Sequence, residues 1–326
     1  MRRASFALCL ALGLAALPGC SKKEAPLDDL SRLETYSFSA ASPLESRVAV
    51  VPARLLAYFS QSDGKTDYAA YGPSSADRAL VMEYLRLLPG VYEKVFTERC
   101  IGIYFISNFQ GNGVTSWVAG PAGKVYFYII LNPASFKATL SETLTARERS
   151  CFIPAKGWSV SVDAGKKYKG MLYSIFHEGT HGLDYSMGVT PYADEGMPEL
   201  YRPHSPASGK FFFESWESYS KPVKAADFTG RDMATFYGFG GGPKLPVSQA
   251  PDVYKGLAGS GFVSLYGARS WAEDVAELAT FHYVTGKLGQ PYVITLSGPA
   301  GKSYFRPMQS KAGKRGGEAA VFLEHL

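Results

Sequence analysis

Histidine and cysteine are scarce in this chain of 326 residues, with five and four copies respectively. With so few histidines, any close pair of them carries information. Charge is sparse too, at 19% of residues, against 46% hydrophobic and 14% aromatic. That balance excludes a disordered tail, a collagen-like fibre and a coiled coil, and it supports a sizeable buried core. The formal net charge is +5, or +3 without Arg2 and Arg3. It is too small and too scattered to imply a nucleic-acid partner. Past the first twenty residues no apolar run approaches the roughly 18 to 20 that a membrane-spanning helix needs. A mature chain that is water-soluble apart from any anchor is therefore expected.

The N-terminus supplies a candidate anchor. Met1-Arg2-Arg3 followed by the apolar run Phe6 to Leu17 has the charged and hydrophobic regions of a secretory signal peptide. The run ends in Leu17-Pro18-Gly19-Cys20, which resembles the lipobox of bacterial lipoproteins. The resemblance implies cleavage before Cys20, acylation of that cysteine by chains such as palmitate, and attachment to a membrane surface without a spanning helix. Ser21 rather than Asp after the cysteine favours the outer membrane, facing the periplasm. Cys9 belongs to the leader and Cys20 to the anchor, so Cys100 and Cys151 remain in an oxidising compartment, where a disulfide between them is expected over two separate buried thiols.

Residues 21 to about 45 read as a tether. A helix is expected over 77–88 from Leu80, Tyr84, Leu87 and Leu88, with Pro89-Gly90 breaking it before Val91 to Phe96. Ile101 to Ile106 and Val125 to Leu131 read as neighbouring strands, and Thr139 to Arg149 as a short helix. Asp163 is the expected cap of a long helix over 164–187, stopped by Gly188 and Pro191. The span from Gly238 to Gly261 reads as a surface loop, Ser270 or Trp271 to Thr285 as a helix, 298–317 as a loose tail, and 319–326 as a short terminal helix. The expected class is α+β, as one domain or as two lobes divided near residue 160.

Inside the long helix stands His177-Glu178-Gly179-Thr180-His181. Four residues are about one helical turn, so both imidazoles leave one face and can share a tetrahedral zinc ion, with Glu178 beside them to meet a metal-bound water. A metal held with one open position needs a third protein ligand. Metzincins place it six residues after the second histidine, which here is Met187, and their glycine position is Asp184; that family is excluded. The better source is Trp271-Ala-Glu273-Asp274-Val-Ala-Glu277, where Glu273 and Glu277 lie one turn apart. Ala276 and Thr280 on the same face are small enough to admit the Gly179 and Gly182 surface of the first helix. Asp274 is a rival ligand, or alternatively bonds to a histidine or caps the helix, and an acidic face at a helix N-terminus is the alternative for all three carboxylates.

In this pairing the chain resembles the gluzincin metallopeptidases, whose third ligand is a glutamate on a second, downstream helix. The resemblance implies a zincin-like fold, Glu273 as the ligand, and Glu277 as the carboxylate that orients His177. Tyr266, seven residues before Glu273, has a spacing similar to that in the anthrax-lethal-factor-like branch, where a tyrosine hydroxyl stabilises the transition state. It covers about 25 residues in two segments. His204, His282 and His325 have no partner spacing.

The expected activity is hydrolysis of peptide or protein substrates by a single-zinc endopeptidase, with Glu178 as general base and Tyr266 at the oxyanion. The strand Val125 to Leu131 is expected to offer the edge on which an extended substrate adds, and loops within 189–262 to set specificity. A lipid-anchored binding or assembly protein stapled by zinc, and a hydrolase of cell-wall peptide crosslinks, are the competing expectations. Gly238-Phe-Gly-Gly-Gly242 lacks a following Lys-Ser or Lys-Thr and is not a phosphate loop.

Overall fold

The computed structural model describes residues 27–202 and 214–326. The leader, the expected lipidation at Cys20 and His204 lie outside them. Among the described residues, no helix is long and apolar enough to cross a membrane.

The class is α+β. Strands β1 (Val48–Val50), β2 (Ala69–Ala70), β3 (Cys100–Ser107), β4 (Gly113–Ala119) and β5 (Val125–Leu131) form one sheet, in the order β1-β3-β5-β4, with β2 paired to the end of β3. β1, β3 and β5 run parallel, and β4 runs antiparallel to β5 from Gly113↔Leu131 to Ala119↔Val125. β3 and β5 are buried on both faces, which is why their sequences are unbroken apolar runs rather than alternating ones. One face carries Phe105, Phe127, Ile129 and Leu131 into the main core. The other carries Tyr104, Ile106, Tyr128 and Ile130 against helix α1 (Ala53–Ser62).

Beneath the main-core face lie α2 (Ser75–Leu85), α3 (Gly90–Arg99) and α5 (Met171–Met187). α2 begins with a capping box of Ser74 and Asp77, and α4 (Leu140–Ser150) with one of Thr139 and Glu142. Each box satisfies two amide donors that would otherwise be orphaned. β6 (Phe152–Ile153) pairs with β10 (Leu245–Pro246), and β8 (Trp216–Ser218) with β9 (Lys221–Pro222). A second sheet joins β7 (Ser159–Asp163), β11 (Val293–Gly298) and β12 (Gly301–Phe305), all antiparallel. Helices α6 (Ala250–Ser260), α7 (Trp271–His282) and α8 (Lys311–Glu324) complete the described elements that matter for the site, with α7 packed between α5 and α8.

Several expectations need correction. Asp163 ends β7 instead of capping a helix, because its Oδ1 accepts from Gly165, whose φ is +80°; α5 starts at Met171. The stretch around 250–260 is helical despite its glycines, and the tail holds β12 and the first half of α8. From residue 27 the supposed tether is attached: Leu30, Leu33, Tyr36 and Phe38 pack on the sheet face that α1 covers. Arg47, 6% exposed, donates to the carbonyls of Ser39, Ala40 and Ser42 and to those of Phe96, Thr97 and Cys100. The edge strand is β4, with β5 enclosed between β3 and β4.

Cys100 and Cys151 form no disulfide. Both are buried free thiols; Cys100 opens β3 and faces the Gly102 carbonyl, while Cys151 caps α4 and faces the Arg147 carbonyl. Each is satisfied within its own neighbourhood, and burial pushes the Cys100 thiol up to about 12 and that of Cys151 well above its usual value.

The two glycines of α5 do not serve α7 as expected. A Cβ on Gly182 would stand 2.5 Å from the Phe127 ring, and one on Gly179 would stand 3.3 Å from Phe96. They admit β5 and α3 to α5. Gly182→Ala is therefore expected to lower the unfolding free energy by about 1–3 kcal/mol, overpacking outweighing the gain of about 1 kcal/mol in helix propensity. A denaturant titration checks this; an unchanged or raised midpoint would contradict the packing described.

Candidate metal centre

His177 and His181 leave α5 on one face, one turn apart, with ring planes at 83°. α7 crosses that face. Ser270 caps it, its Oγ accepting from the Glu273 amide, so Glu273 stands in the first turn, where the helix dipole favours a carboxylate. The three side chains converge: His177 Nε2 lies 3.2 Å from His181 Nε2 and 3.0 Å from Glu273 Oε2, and His181 Nε2 lies 3.4 Å from the same oxygen. Donor atoms bound at about 2.0–2.1 Å around a tetrahedral ion stand roughly 3.3–3.4 Å apart. The triangle has the size a zinc ion requires, and its members are the one group of three or more potential ligands found among the described residues.

The charges fit a cation as well. Burial opposes protonation of His177, but hydrogen bonds to Glu273 and Glu277 outweigh it and raise its pKa to about 10. Burial would raise the Glu273 carboxyl; the two histidines hold it far below its usual range instead. Two carboxylates thus turn toward one imidazole, the arrangement that a divalent ion at Nε2 would satisfy.

Glu277 is buried completely and lies one turn beyond Glu273. Its Oε1 accepts from His177 Nδ1 at 2.9 Å and from the Tyr173 hydroxyl at 2.7 Å. Its Oε2 accepts from Arg147 at 2.7 Å and from Ser264. With all four positions filled the carboxylate is fixed, and with His177 donating to it through Nδ1, a metal would take Nε2. Despite burial, Arg147, His177 and Ser264 hold the Glu277 carboxyl down at about 2.

Arg147 is a participant that sequence reasoning missed. It is 0% exposed, it donates to Tyr173 and Glu277 through Nη1, and Glu148 Oε1 accepts from its Nε and Nη2. Glu148 in turn accepts from Tyr254. One signal was present, an Arg-Glu pair inside the otherwise surface-like helix 140–150, but nothing in the sequence distinguishes a buried pair from a solvated one.

Glu178 is 5% exposed, and the Thr115 hydroxyl of β4 lies 2.8 Å from its Oε2 and 2.9 Å from its backbone oxygen. Burial raises its pKa above the usual range, the two histidines and Thr115 opposing. That is the direction a general base needs. The Tyr266 ring stands 5.5 Å from the His177 ring, edge-on to Phe236, and lines the same cleft.

Asp274 does not belong to the centre. One residue past Glu273 it is rotated about 100° around α7, and it is paired with Arg315 at 2.6 Å and with the Trp216 indole at 2.8 Å. It braces α7 against α8 and β8. His282 is half-buried and His325 is exposed, away from the cleft. The cleft itself has a volume of about 440 Å³ and runs over the edge of β4, with Thr115 and Trp117 on one wall and Tyr219 and Glu273 on the other.

Comparisons with protein-family models, with curated proteins and with solved structures found no match to this chain.

Two outcomes follow from the Glu277 network. Arg147→Met strands two buried carboxylates and is expected to cost about 3–5 kcal/mol in a urea titration; a loss below about 1 kcal/mol would mean the network is not as drawn. A carboxyl held at about 2 against an ordinary 4.5 contributes stability that is complete above 4.5 and is lost as pH falls through 2. In the metal-free protein the thermal midpoint should fall over that window, and Glu277→Gln should flatten the fall. A parallel decline in both proteins would assign it elsewhere.

Proposed function

We propose that this protein is a single-zinc peptidase with a zincin-like arrangement of sheet, active-site helix and second ligand helix. The observation that carries the proposal is the triangle of His177, His181 and Glu273, open on its fourth side to a cleft that also contains Glu178. A structural zinc site is closed by four protein ligands, so the three-ligand set and the adjacent buried carboxylate favour catalysis over a staple. The Leu17 to Cys20 sequence supports an envelope address for the enzyme.

Zinc bound there would supply a Lewis acid and lower the pKa of water toward about 7. The chain's own residues would do the rest. Glu178, at a raised pKa, accepts the proton of the attacking water and returns it to the leaving amine; Thr115 holds its carboxylate in place meanwhile. The Tyr266 hydroxyl donates to the carbonyl oxygen as it gains charge. Among the described residues the outer edge of β4 carries one β-bridge, from Ala119 to Arg32, and the turn Asp29–Ser31 packs beside it; an extended peptide would add as a further strand along the part of that edge that begins at Gly113. Such a peptide would pass directly over Thr115 and Glu178.

Glu178→Gln should retain about one zinc per chain and lose roughly 10²- to 10⁴-fold in peptide hydrolysis. Glu273→Ala should lose the zinc. Metal analysis beside a quenched-peptide assay checks both. Full hydrolysis by the zinc-loaded Gln variant would refute the role of Glu178, and a parent chain that binds no zinc after supplementation would refute the proposal as a whole.

A further inference from the structure

The cleft has a charge of one sign. Four acidic residues line it, Asp28, Glu178, Asp194 and Glu273, and among its described lining residues there is no lysine or arginine. A zinc ion balances Glu178 and Glu273, which leaves the two charges of Asp28 and Asp194. Neither has an ion-pair partner among the described residues.

Asp194 is held in place. Its Oδ2 accepts from the Trp117 indole at 3.1 Å and its Oδ1 from the Gly196 amide at 2.7 Å, and Trp117 is itself stacked on Tyr201. Trp117 shares a face of β4 with Thr115, whose hydroxyl touches Glu178, so Asp194 is tied through the indole to the position two residues along the strand. Tyr185 and Tyr219 line the cleft with it, and the field of Asp194 reaches both phenols, as do those of Glu178 and Glu273 respectively. A fixed carboxylate beside aromatic rings suits an alkylammonium or guanidinium. Among the described residues the cations that flank the cleft are engaged with other groups: Arg147 and Arg269 lie over the Tyr266 ring, Arg147 donating to Glu277. Arg202 lies over Tyr192 and donates to the carbonyls of Met197 and Glu195, and together with Arg99 and Lys124 it lines a separate hollow past Tyr185.

Resting on the peptidase proposal, we infer that the cleft selects peptides with a lysine or arginine about two residues from the scissile bond, its side chain seated against Asp194. Asp28 at the other end adds to the attraction for a basic segment.

The test uses the zinc-loaded protein and quenched peptides identical except for Lys, Gln or Glu at each position flanking a cleaved bond. At one position the Lys peptide should exceed the Gln peptide by about tenfold in kcat/KM and the Glu peptide by more, the difference shrinking as salt is raised. Asp194→Asn should cut the Lys-to-Gln ratio toward one, and Asp194→Lys should invert the order in favour of Glu. Binding of the same peptides to the Glu178→Gln protein, followed by fluorescence anisotropy, should show the same ranking. Equal cleavage of the three peptides, or a Lys preference that survives Asp194→Asn, would overturn this inference and leave the peptidase standing. Ranked binding without hydrolysis by the parent would support the cationic subsite and overturn the peptidase proposal.

Discussion

The site depends on one buried carboxylate. Glu277 accepts four hydrogen bonds from three different segments of the chain: Arg147 on α4, Tyr173 and His177 on α5, and Ser264 in the turn before α7. A buried carboxylate with an empty position is costly, whereas one with every position filled and a guanidinium beside it is held in a single orientation. The consequence is geometric. The separation of α5 and α7, the ring plane of His177 and the placement of the turn that carries Tyr266 are set by the same group. The network carries two carboxylates against one guanidinium.

The rest of the fold places that carboxylate. α5 is buried along most of its length because Gly182 and Gly179 let Phe127 and Phe96 approach its backbone, and Gly188, at φ 67°, ends it with a left-handed cap. The helix is therefore fixed against the sheet before α7 contributes anything. α7 is fixed from its other side by Asp274, whose pairing with Arg315 and Trp216 ties it to α8 and β8. Two adjacent acids, Glu273 and Asp274, thus face different ways, one toward the histidines and one toward Arg315 and Trp216.

The sequence discloses the site better than the frame around it. The convergence of His177 and His181 was legible because helical spacing translates directly into a shared face, whereas the placement of Glu273 and Glu277 toward them was expected from the resemblance to gluzincins. Asp274 was misread because adjacency in sequence says little about direction until the helix phase is known. Arg147 was invisible, since its partners lie 26 and 130 residues away and only the fold joins them. β3 and β5 were legible as apolar runs. β4, with Gly113, Thr115 and Ser116 among its residues, lacks that signature because it is an edge with one side in water, and this led to the wrong choice of edge. α6 was hidden by the surrounding glycines, and the two cysteines were paired on grounds of compartment alone, which carries no information about distance.

In the proposed enzyme the edge strand would link the chemistry to the substrate. Thr115 reaches Glu178 through its hydroxyl, and its own backbone lies in β4, along which a peptide would be ordered. The residue that positions the base is therefore part of the template that would register the scissile bond, with no intervening loop to blur the relation. Two residues along the same face, Trp117 carries Asp194 in the same way. The period of a β-strand, in which every second side chain returns to one face, thereby sets both the position of the base and that of the neighbouring carboxylate on one short rigid element. Specificity and catalysis would then share a single ruler, with its spacing fixed by backbone geometry.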